Sequence, residues 1–222
     1  MAGRTVIVAG ATGLVGTEIL EEVLADQTVA TVHSLGRRAP ARQHPKLASH
    51  VVDFAALTAL PPADEVYLAL GTTMKIAGSA NAFRAVDFNA NLSVAEKALA
   101  AGVRKVGLVS AMGADANSRI FYSRVKGELE QALSRLPFDG LVIARPSMLV
   151  GDRASLGRPV RRGEVWAAAL GSILGFLIPE NYKPIRASSV ARALLSTVPT
   201  SRGKSVLLSG SLRRNADLRS DS

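Results

Sequence analysis

Two side chains able to move a proton lie four residues apart in the segment YSRVK, at Tyr122 and Lys126. The surrounding pattern predicts a helix over residues 118–136 that Pro137 stops, and residues four apart share one face of a helix. A phenol ordinarily holds its proton at neutral pH, and a nearby ammonium favours the phenolate. The spacing therefore indicates an acid–base pair, although Tyr and Lys at this spacing also occur as ordinary surface neighbours.

Ser110 is a third candidate for chemistry. It lies near the end of a predicted strand, and ligands bind at the carboxyl ends of strands in open α/β sheets. Its hydroxyl is suited to holding a substrate carbonyl or hydroxyl by a hydrogen bond. A serine at a strand end, combined with the Tyr122–Lys126 pair and a glycine turn, is much more specific than the pair alone.

The glycine turn stands in VIVAGATGLVG, directly after the first predicted strand. Gly10 permits a tight turn, Gly13 lets the pyrophosphate of a dinucleotide approach the backbone, and Gly16 lets the first helix pack closely on the sheet. Phosphates at a helix N-terminus meet free N–H groups and the positive end of the helix dipole. The alternative is a turn that serves packing alone. The predicted cofactor contacts here are Gly10, Ala11, Thr12, Gly13, Leu14, Val15 and Gly16.

The second predicted strand indicates which dinucleotide binds. Folds that bind NAD usually end this strand with an acid that bonds the ribose 2′-hydroxyl, whereas this chain reads LGRRA at that point. Arg37 and Arg38 offer planar guanidinium groups suited to a 2′-phosphate, so we predict NADP(H) as the cofactor. The alternative is a solvated basic turn. Asp53 is placed either to contact the adenine or to cap the turn that follows it.

Predicted strands alternate with predicted helices along the chain. The strands are at 5–9, 29–35, 50–54, 65–71, 105–111, 140–146 and 204–210, and the helices at 14–25, 80–101, 118–136, 164–177 and 188–198. This alternation predicts an α/β fold with a doubly wound, mostly parallel sheet. We expect one domain over residues 1–210, and a polar, disordered tail over residues 211–222.

The composition excludes several classes of site. The 222 residues carry a formal net charge of +9, which favours anionic ligands in general. No basic run is interleaved with aromatic residues, so we do not expect nucleic acid as a partner. The sequence has no cysteine, which excludes disulfides, thiolate zinc sites and cysteine nucleophiles, and its three scattered histidines do not predict a metal site.

The first apolar run does not read as a signal peptide, because glycines interrupt it and acidic residues follow it closely. No segment has the roughly 20 uninterrupted apolar residues that span a bilayer. We therefore expect a cytoplasmic protein, a monomer or homodimer, whose partner is a small-molecule substrate.

The motifs GATGLVG, VSAMGA, YSRVK and ARPSMLVGDR together resemble the atypical short-chain dehydrogenase/reductases, and within them the Tat-interacting-protein-like oxidoreductase branch. The segments GTT (71–73), VD (86–87) and KPIRASSVARALL (183–195) also fit that branch. The resemblance covers residues 6–208. It implies an NAD(P)-binding Rossmann fold with a small C-terminal substrate portion at 147–202.

The same resemblance implies roles for individual residues. Tyr122 would transfer the proton, Lys126 would bind the nicotinamide ribose and tune Tyr122, and Ser110 would orient the substrate. Many members of the family carry Asn where Asp87 stands, so Asp87 adds a negative charge if it faces the site. The further implied cofactor contacts are Gly71, Thr72, Thr73, Lys126 and Pro146.

Three functions fit these patterns. The first is an NADPH-dependent reductase or dehydrogenase acting on a carbonyl or alcohol, which the Tyr122–Lys126 pair favours. The second is a regulatory module that binds NADP(H) and reports it to a protein partner. The third is a nucleotide-sugar epimerase, for which the portion after Pro146 is short.

The most apolar stretch beyond the cofactor core is EVWAAALGSILGFLIP, residues 164–179. It has three interpretations. It packs as an ordinary helix, it roofs the substrate pocket with Trp166 or Phe176, or it contacts a membrane surface with help from Arg161 and Arg162.

Overall fold

A seven-stranded parallel sheet forms the centre of the protein. The computed structural model describes residues 3–150 and 179–217. The sheet order is β3-β2-β1-β4-β5-β6-β9, and a separate parallel pair joins β7 to β8. The strands are β1 (Arg4–Ala9), β2 (Val29–Gly36), β3 (Leu47–Val51), β4 (Glu65–Leu68), β5 (Lys105–Val109), β6 (Gly140–Arg145), β7 (Leu149–Val150), β8 (Ile185–Arg186) and β9 (Gly203–Leu208).

Helices cover both faces of the sheet. One apolar cluster joins it to α1, α6 and α7, and a second joins the other face to α4 and α5. A π-helical segment, Ala85–Ala90, links α3 to α4, and short 3₁₀ helices lie at Phe54–Ala56 and Glu180–Tyr182. The helices are α1 (Leu14–Ala25), α2 (Met74–Ala77), α3 (Ala80–Arg84), α4 (Asn91–Ala100), α5 (Phe121–Ser134), α6 (Ala187–Thr197) and α7 (Ser209–Asp217).

The central strands are buried on both faces, as in sheets covered by helices on either side. Consecutive residues of β1 show this, because Ile7 and Val8 point to opposite faces and neither has solvent-exposed surface. The doubly wound α/β fold predicted from the alternating pattern is confirmed.

The chain changes direction across the sheet between β1 and β4. After β1 it runs outward through β2 and β3, and then it crosses back to place β4 on the other side of β1. Ligands in open α/β sheets bind outside the carboxyl ends of the strands at such a switch point. The glycine turn after β1 lies at this position.

The third strand begins earlier than predicted, at Leu47 rather than at His50. It lies at the sheet edge and pairs with β2 alone, from Leu47 opposite Val32 to Val51 opposite Gly36. An edge strand buries less of each face, so its apolar pattern marks its ends poorly.

The long helix predicted at 80–101 is present with an irregularity that the sequence does not signal. Its middle turn is π-helical, and the chain continues directly into α4. Gly102 ends it with a φ of +96°, and the N–H of Val103 bonds back to the carbonyl of Ala98. A glycine with a positive φ just after the last turn is a common C-terminal cap of helices.

The prediction of a disordered tail is wrong for residues 211–217, because α7 covers them. Leu212 and Ala216, four residues apart, are buried against α6. Arg213 also donates to the carbonyls of Lys183 and Pro184. The segment is short and mostly polar, so two apolar residues four positions apart did not predict a helix. The predicted helix at 164–177, with its three interpretations, lies outside the described residues.

Candidate cofactor and active site

The turn after β1 has the conformation that its first glycine was predicted to allow. Gly10 has a φ of +87°, and a Cβ there would lie 2.7 Å from the carbonyl oxygen of Ala69 on the neighbouring chain segment. A Cβ at Gly16 would overlap the carbonyl oxygen of Gly10. Helix α1 therefore packs against the turn itself, at a distance that only glycine permits.

The N-terminus of α1 is open to a ligand. Gly13 is its N-cap residue and has no side chain to bond the free N–H groups of the first turn. Thr17 does not supply such a cap, because its hydroxyl donates to the carbonyls of Ala11 and Gly13. The first turn also lacks acidic residues, so its N–H groups and helix dipole favour an anion.

A groove of about 230 Å³ runs from this turn across the carboxyl edge of the sheet. Seven of the predicted cofactor contacts line it: Gly10, Thr12, Gly13, Arg37, Arg38, Asp53 and Gly71. Further lining comes from Gly36, Phe54, Ala55, Ala69, Leu70, Ala85, Val86 and Ala90, which the sequence did not single out. The lining residues come from distant chain segments, which only the sheet order brings together.

The remaining predicted contacts do not line this groove. Ala11 and Val15 are buried in the core beneath the turn. Thr73 caps α2 by accepting from the N–H of Ile76, and Thr72 donates its backbone N–H to Asp87. Pro146 is buried, and its carbonyl accepts from Met112. Leu14 and Gly16 begin α1.

The arginine end of the groove is exposed. Arg37 and Arg38 follow β2 directly, and among the described residues neither forms an ion pair. Asp53 lines the groove and caps the turn that follows it, because its carboxylate accepts from the N–H of Ala55 at 2.9 Å. These two exposed cations and the open helical N–H groups give this half of the groove a chemistry that suits a phosphorylated dinucleotide.

Tyr122 and Lys126 share one face of α5 but differ in environment. Tyr122 is 36% exposed and its ring lies 5.6 Å from that of Phe83. Lys126 is 5% exposed. A Cβ at Gly71, which lines the groove, would lie 4.0 Å from the Lys126 ammonium. The lysine thus lies at the groove end opposite the arginines.

Asp87 faces the site, so its negative charge acts there. Its Oδ1 lies 2.8 Å from Nζ of Lys126, and its Oδ2 accepts from the N–H of Thr72 at 2.8 Å. The Lys126–Oδ1 contact is an ion pair without aligned hydrogen-bond geometry. Asp87 lies in the π-helical segment, a feature that is frequent at functional sites.

Asn91 stabilises that π-helical segment. Its side-chain amide donates to the carbonyls of Val86 and Asp87 and to Leu70 across the groove floor. A π turn disturbs the regular pairing of backbone groups, and this buried amide bonds two of the carbonyls in it. Nothing in the sequence singles out Asn91, since an amide within a helical run carries no local signal of this role.

Ser110 does not line the groove. Its hydroxyl donates to Glu130 at 2.5 Å, and both side chains are buried. Glu130 lies one turn beyond Lys126 on α5 and also accepts three hydrogen bonds from Arg145, at 3.0, 3.2 and 2.6 Å. These bonds raise the pKa of the Arg145 guanidinium above its ordinary value. The structure therefore places the Ser110 hydroxyl in a buried polar cluster, where it donates to the Glu130 carboxylate, since a buried carboxylate needs hydrogen-bond donors.

Comparison with known proteins agrees with this architecture. The family described as NAD(P)H-binding matches residues 10–166. The FMP52 protein of Candida albicans is 34% identical over 205 residues, covering 85% of each chain. HTATIP2 of Rattus norvegicus is 36% identical over 160 residues, covering 69% of this chain and 66% of its own.

Solved structures show the same fold at low sequence identity. The UDP-N-acetylglucosamine 4-epimerase of Methanobrevibacter ruminantium superposes with a TM-score of 0.69 at 15% identity, over all of this chain and 82% of its own. In the described part of the chain, no helix is both long and apolar enough to cross a bilayer. The same residues contain no group of three or more potential metal-binding side chains.

The comparisons correct one expectation. The chain was expected to be cytoplasmic, but FMP52 proteins of Coccidioides immitis, Candida albicans and Emericella nidulans are named as mitochondrial. Location depends on short address segments that composition does not reveal. The family match, the relatives and the fold agree, and the chain belongs to the NAD(P)H-binding family as an atypical short-chain dehydrogenase/reductase.

Proposed function

We propose that the protein is an NADPH-dependent oxidoreductase that transfers hydride between NADP(H) and a carbonyl or alcohol. One observation carries the proposal: the groove carries two arginines that form no ion pair among the described residues, and Gly71, which also lines it, lies beside Lys126 on the α5 face that Tyr122 shares. An enzyme of this kind needs a cofactor site and a proton donor next to each other, and this arrangement supplies both.

The residues present fit the cofactor. The glycine turn and the open N-terminus of α1 would hold the pyrophosphate, and Arg37 and Arg38 would hold the 2′-phosphate. Asp53 would border the adenine, and Lys126 would bind the nicotinamide ribose. When bound, the reduced nicotinamide supplies the hydride that converts a carbonyl carbon to an alcohol carbon.

Tyr122 completes the reaction by donating its phenolic proton to the carbonyl oxygen. The oxygen would otherwise become an alkoxide, so a positioned acid lowers the barrier. The phenolate then regains a proton from solvent, to which Tyr122 is partly open. Ser110 has no role in this proposal, because Glu130 already accepts its hydrogen bond.

A second function is a cofactor-dependent regulatory protein. Two observations favour it: Glu130 engages the Ser110 hydroxyl, and Asp87 pairs with Lys126. Both pairings withdraw polar groups that a catalytic site would present to a substrate. A sensor of NADP(H) needs the groove but not the proton donor.

Turnover of a panel of aldehydes, ketones and sugar nucleotides, followed by NADPH absorbance, tests the proposal. NADPH oxidation with at least one aldehyde or ketone is the expected result. Interconversion of a sugar nucleotide without net NADPH consumption would favour an epimerase. No turnover across the panel, with a protein partner binding more tightly when NADPH is present, would contradict the enzyme proposal and favour the sensor.

A further inference from the structure

The Lys126–Asp87 pair differs from an isolated catalytic lysine in its net charge. The two side chains are 7% and 1% exposed, and the charged atoms lie 2.8 Å apart. At such a distance the negative carboxylate cancels most of the field that the ammonium exerts on its neighbours. An unpaired ammonium favours the phenolate on a nearby tyrosine, and a neutral pair does not.

Asp87 is firmly held in this position. Its second carboxylate oxygen accepts from the Thr72 N–H at 2.8 Å, and the carbonyl of Asp87 accepts from Asn91. If the carboxylate swung away from Lys126, its bond from the Thr72 N–H would break, and the bond from Asn91 holds the backbone that carries it. The pairing is therefore a built feature of the site.

The other charged side chains around Lys126 do not replace Asp87. Glu130 pairs with Arg145, and Glu128 pairs with Arg84 and Arg124. The charged groups of α5 and of the segments packed against it include Arg84, Asp87, Glu96, Lys97, Asp115, Arg124, Lys126, Glu128, Glu130 and Arg145. Of these, Asp87 is the group within ion-pair distance of Lys126 in the described part of the chain.

We propose that Asp87 is a positioning residue that neutralises Lys126 and so keeps Tyr122 in its proton-donating form, which suits the site to carbonyl reduction. The inference rests on the proposed function. In reduction, the carbonyl carbon gains a hydride, NADPH becomes NADP⁺, and the phenolic proton moves to the oxygen. In oxidation, the alcohol proton must move to a phenolate, which the neutral pair does not stabilise.

The test compares Asp87→Asn with Glu128→Gln. Asn keeps the size of Asp87 and an acceptor for the Thr72 N–H but removes the charge, and Glu128→Gln removes a charge on α5 that Lys126 does not use. We expect the pH profile of alcohol oxidation to move about one to three pH units lower in Asp87→Asn. We expect the pH profile of Glu128→Gln to match that of wild type.

A spectroscopic readout works without a substrate. The chain has three tyrosines, so the tyrosinate absorbance of Tyr122 is the difference between a protein and its Tyr122→Phe counterpart. This absorbance should develop at lower pH in Asp87→Asn than in wild type. Identical titrations in the two proteins would overturn the inference and leave the proposed function standing.

A double variant covers the case in which Asp87→Asn leaves a buried, unpaired ammonium and fails to fold. Asp87→Asn combined with Lys126→Met carries no charge at either position, as the wild-type pair carries no net charge. Its Tyr122 titration should superimpose on that of wild type. A titration displaced from wild type by more than the Glu128→Gln control would contradict the neutralising role.

Discussion

The two ends of the groove are built in opposite ways. The arginine end consists of a glycine turn, free helical N–H groups and exposed cations without ionic partners among the described residues. The α5 end lies beside the buried Lys126–Asp87 pair, and a second buried pair, Ser110 with Glu130, lies on the same helix outside the groove. The charges at the arginine end are therefore exposed to a ligand, whereas the charges at the α5 end already form ion pairs and hydrogen bonds within the protein.

This contrast has an energetic basis. An exposed arginine costs little to leave unpaired, because water solvates it, whereas a buried charge is costly unless it has a partner. Substitutions at the arginine end should therefore change ligand affinity with little effect on folding. Substitutions at the α5 end should change folding or proton transfer.

The largest expected effect is at the glycine turn. Gly16→Ala places a Cβ on the carbonyl of Gly10, so the turn must move and NADPH binding should be lost. Gly78→Ala is the control, since a Cβ there meets no atom within 4 Å and any loss it causes comes from its own positive φ of +77° rather than from a clash at the turn. Calorimetric titration with NADPH measures both. Normal affinity in Gly16→Ala would show that the turn does not cradle the cofactor.

A smaller loss is expected at the arginine end. Arg37→Ala together with Arg38→Ala should remove most of a preference for NADPH over NADH, because charge-assisted hydrogen bonds contribute about 1.5–3 kcal/mol each. Arg42→Ala is the control, since Arg42 pairs with Glu21 and does not line the groove. Equal affinities of the wild-type protein for the two cofactors would contradict the assignment.

Ser110→Ala tests the buried hydrogen bond between Ser110 and Glu130. Removing this hydroxyl takes a donor from buried Glu130 and should lower the free energy of unfolding by about 1–2 kcal/mol. Ser134→Ala, which removes a hydroxyl bonded to the Glu130 backbone, should have the smaller effect in urea unfolding. Unchanged stability with a weakened substrate step would instead restore the substrate-orienting role implied by the family resemblance.

The smallest effect concerns the histidine pair of β2 and β3. Nδ1 of His33 lies 3.0 Å from Nε2 of His50, and burial, with a smaller effect of His50, lowers the pKa of His33 below 6.5. The unfolded chain then binds the proton more readily, so the pair's stability is present above pH 6.5 and is lost as the pH falls below it. His33→Gln should flatten this dependence in thermal unfolding between pH 7 and 5. An unchanged slope of stability against pH in His33→Gln would exclude the histidine pair as the source of the pH dependence.

Local sequence signals predicted the arginine end well, because its determinants are contiguous. The turn from Gly10 to Gly16 and the Arg37–Arg38 pair each lie within one short segment beside a strand. Their positions follow once the parallel sheet is inferred.

The α5 end could be predicted only in part. The shared face of Tyr122 and Lys126 follows from helical spacing, but the partners Asp87, Glu130 and Arg145 come from separate elements. No spacing rule links a π-helical carboxylate to a lysine on another helix. The same limit explains Ser110, whose strand-end position was predicted but whose bonding partner was not.

The most direct test of the central claim compares wild type with Tyr122→Phe on a carbonyl substrate identified from the panel. Phe lacks only the hydroxyl, and the Tyr122 ring packs on Phe83, so fold and NADPH affinity should be nearly unchanged. The account predicts that turnover falls by about 10²–10⁴-fold, the usual contribution of a positioned acid. Turnover by Tyr122→Phe at the wild-type rate, with NADPH bound equally well, would contradict it.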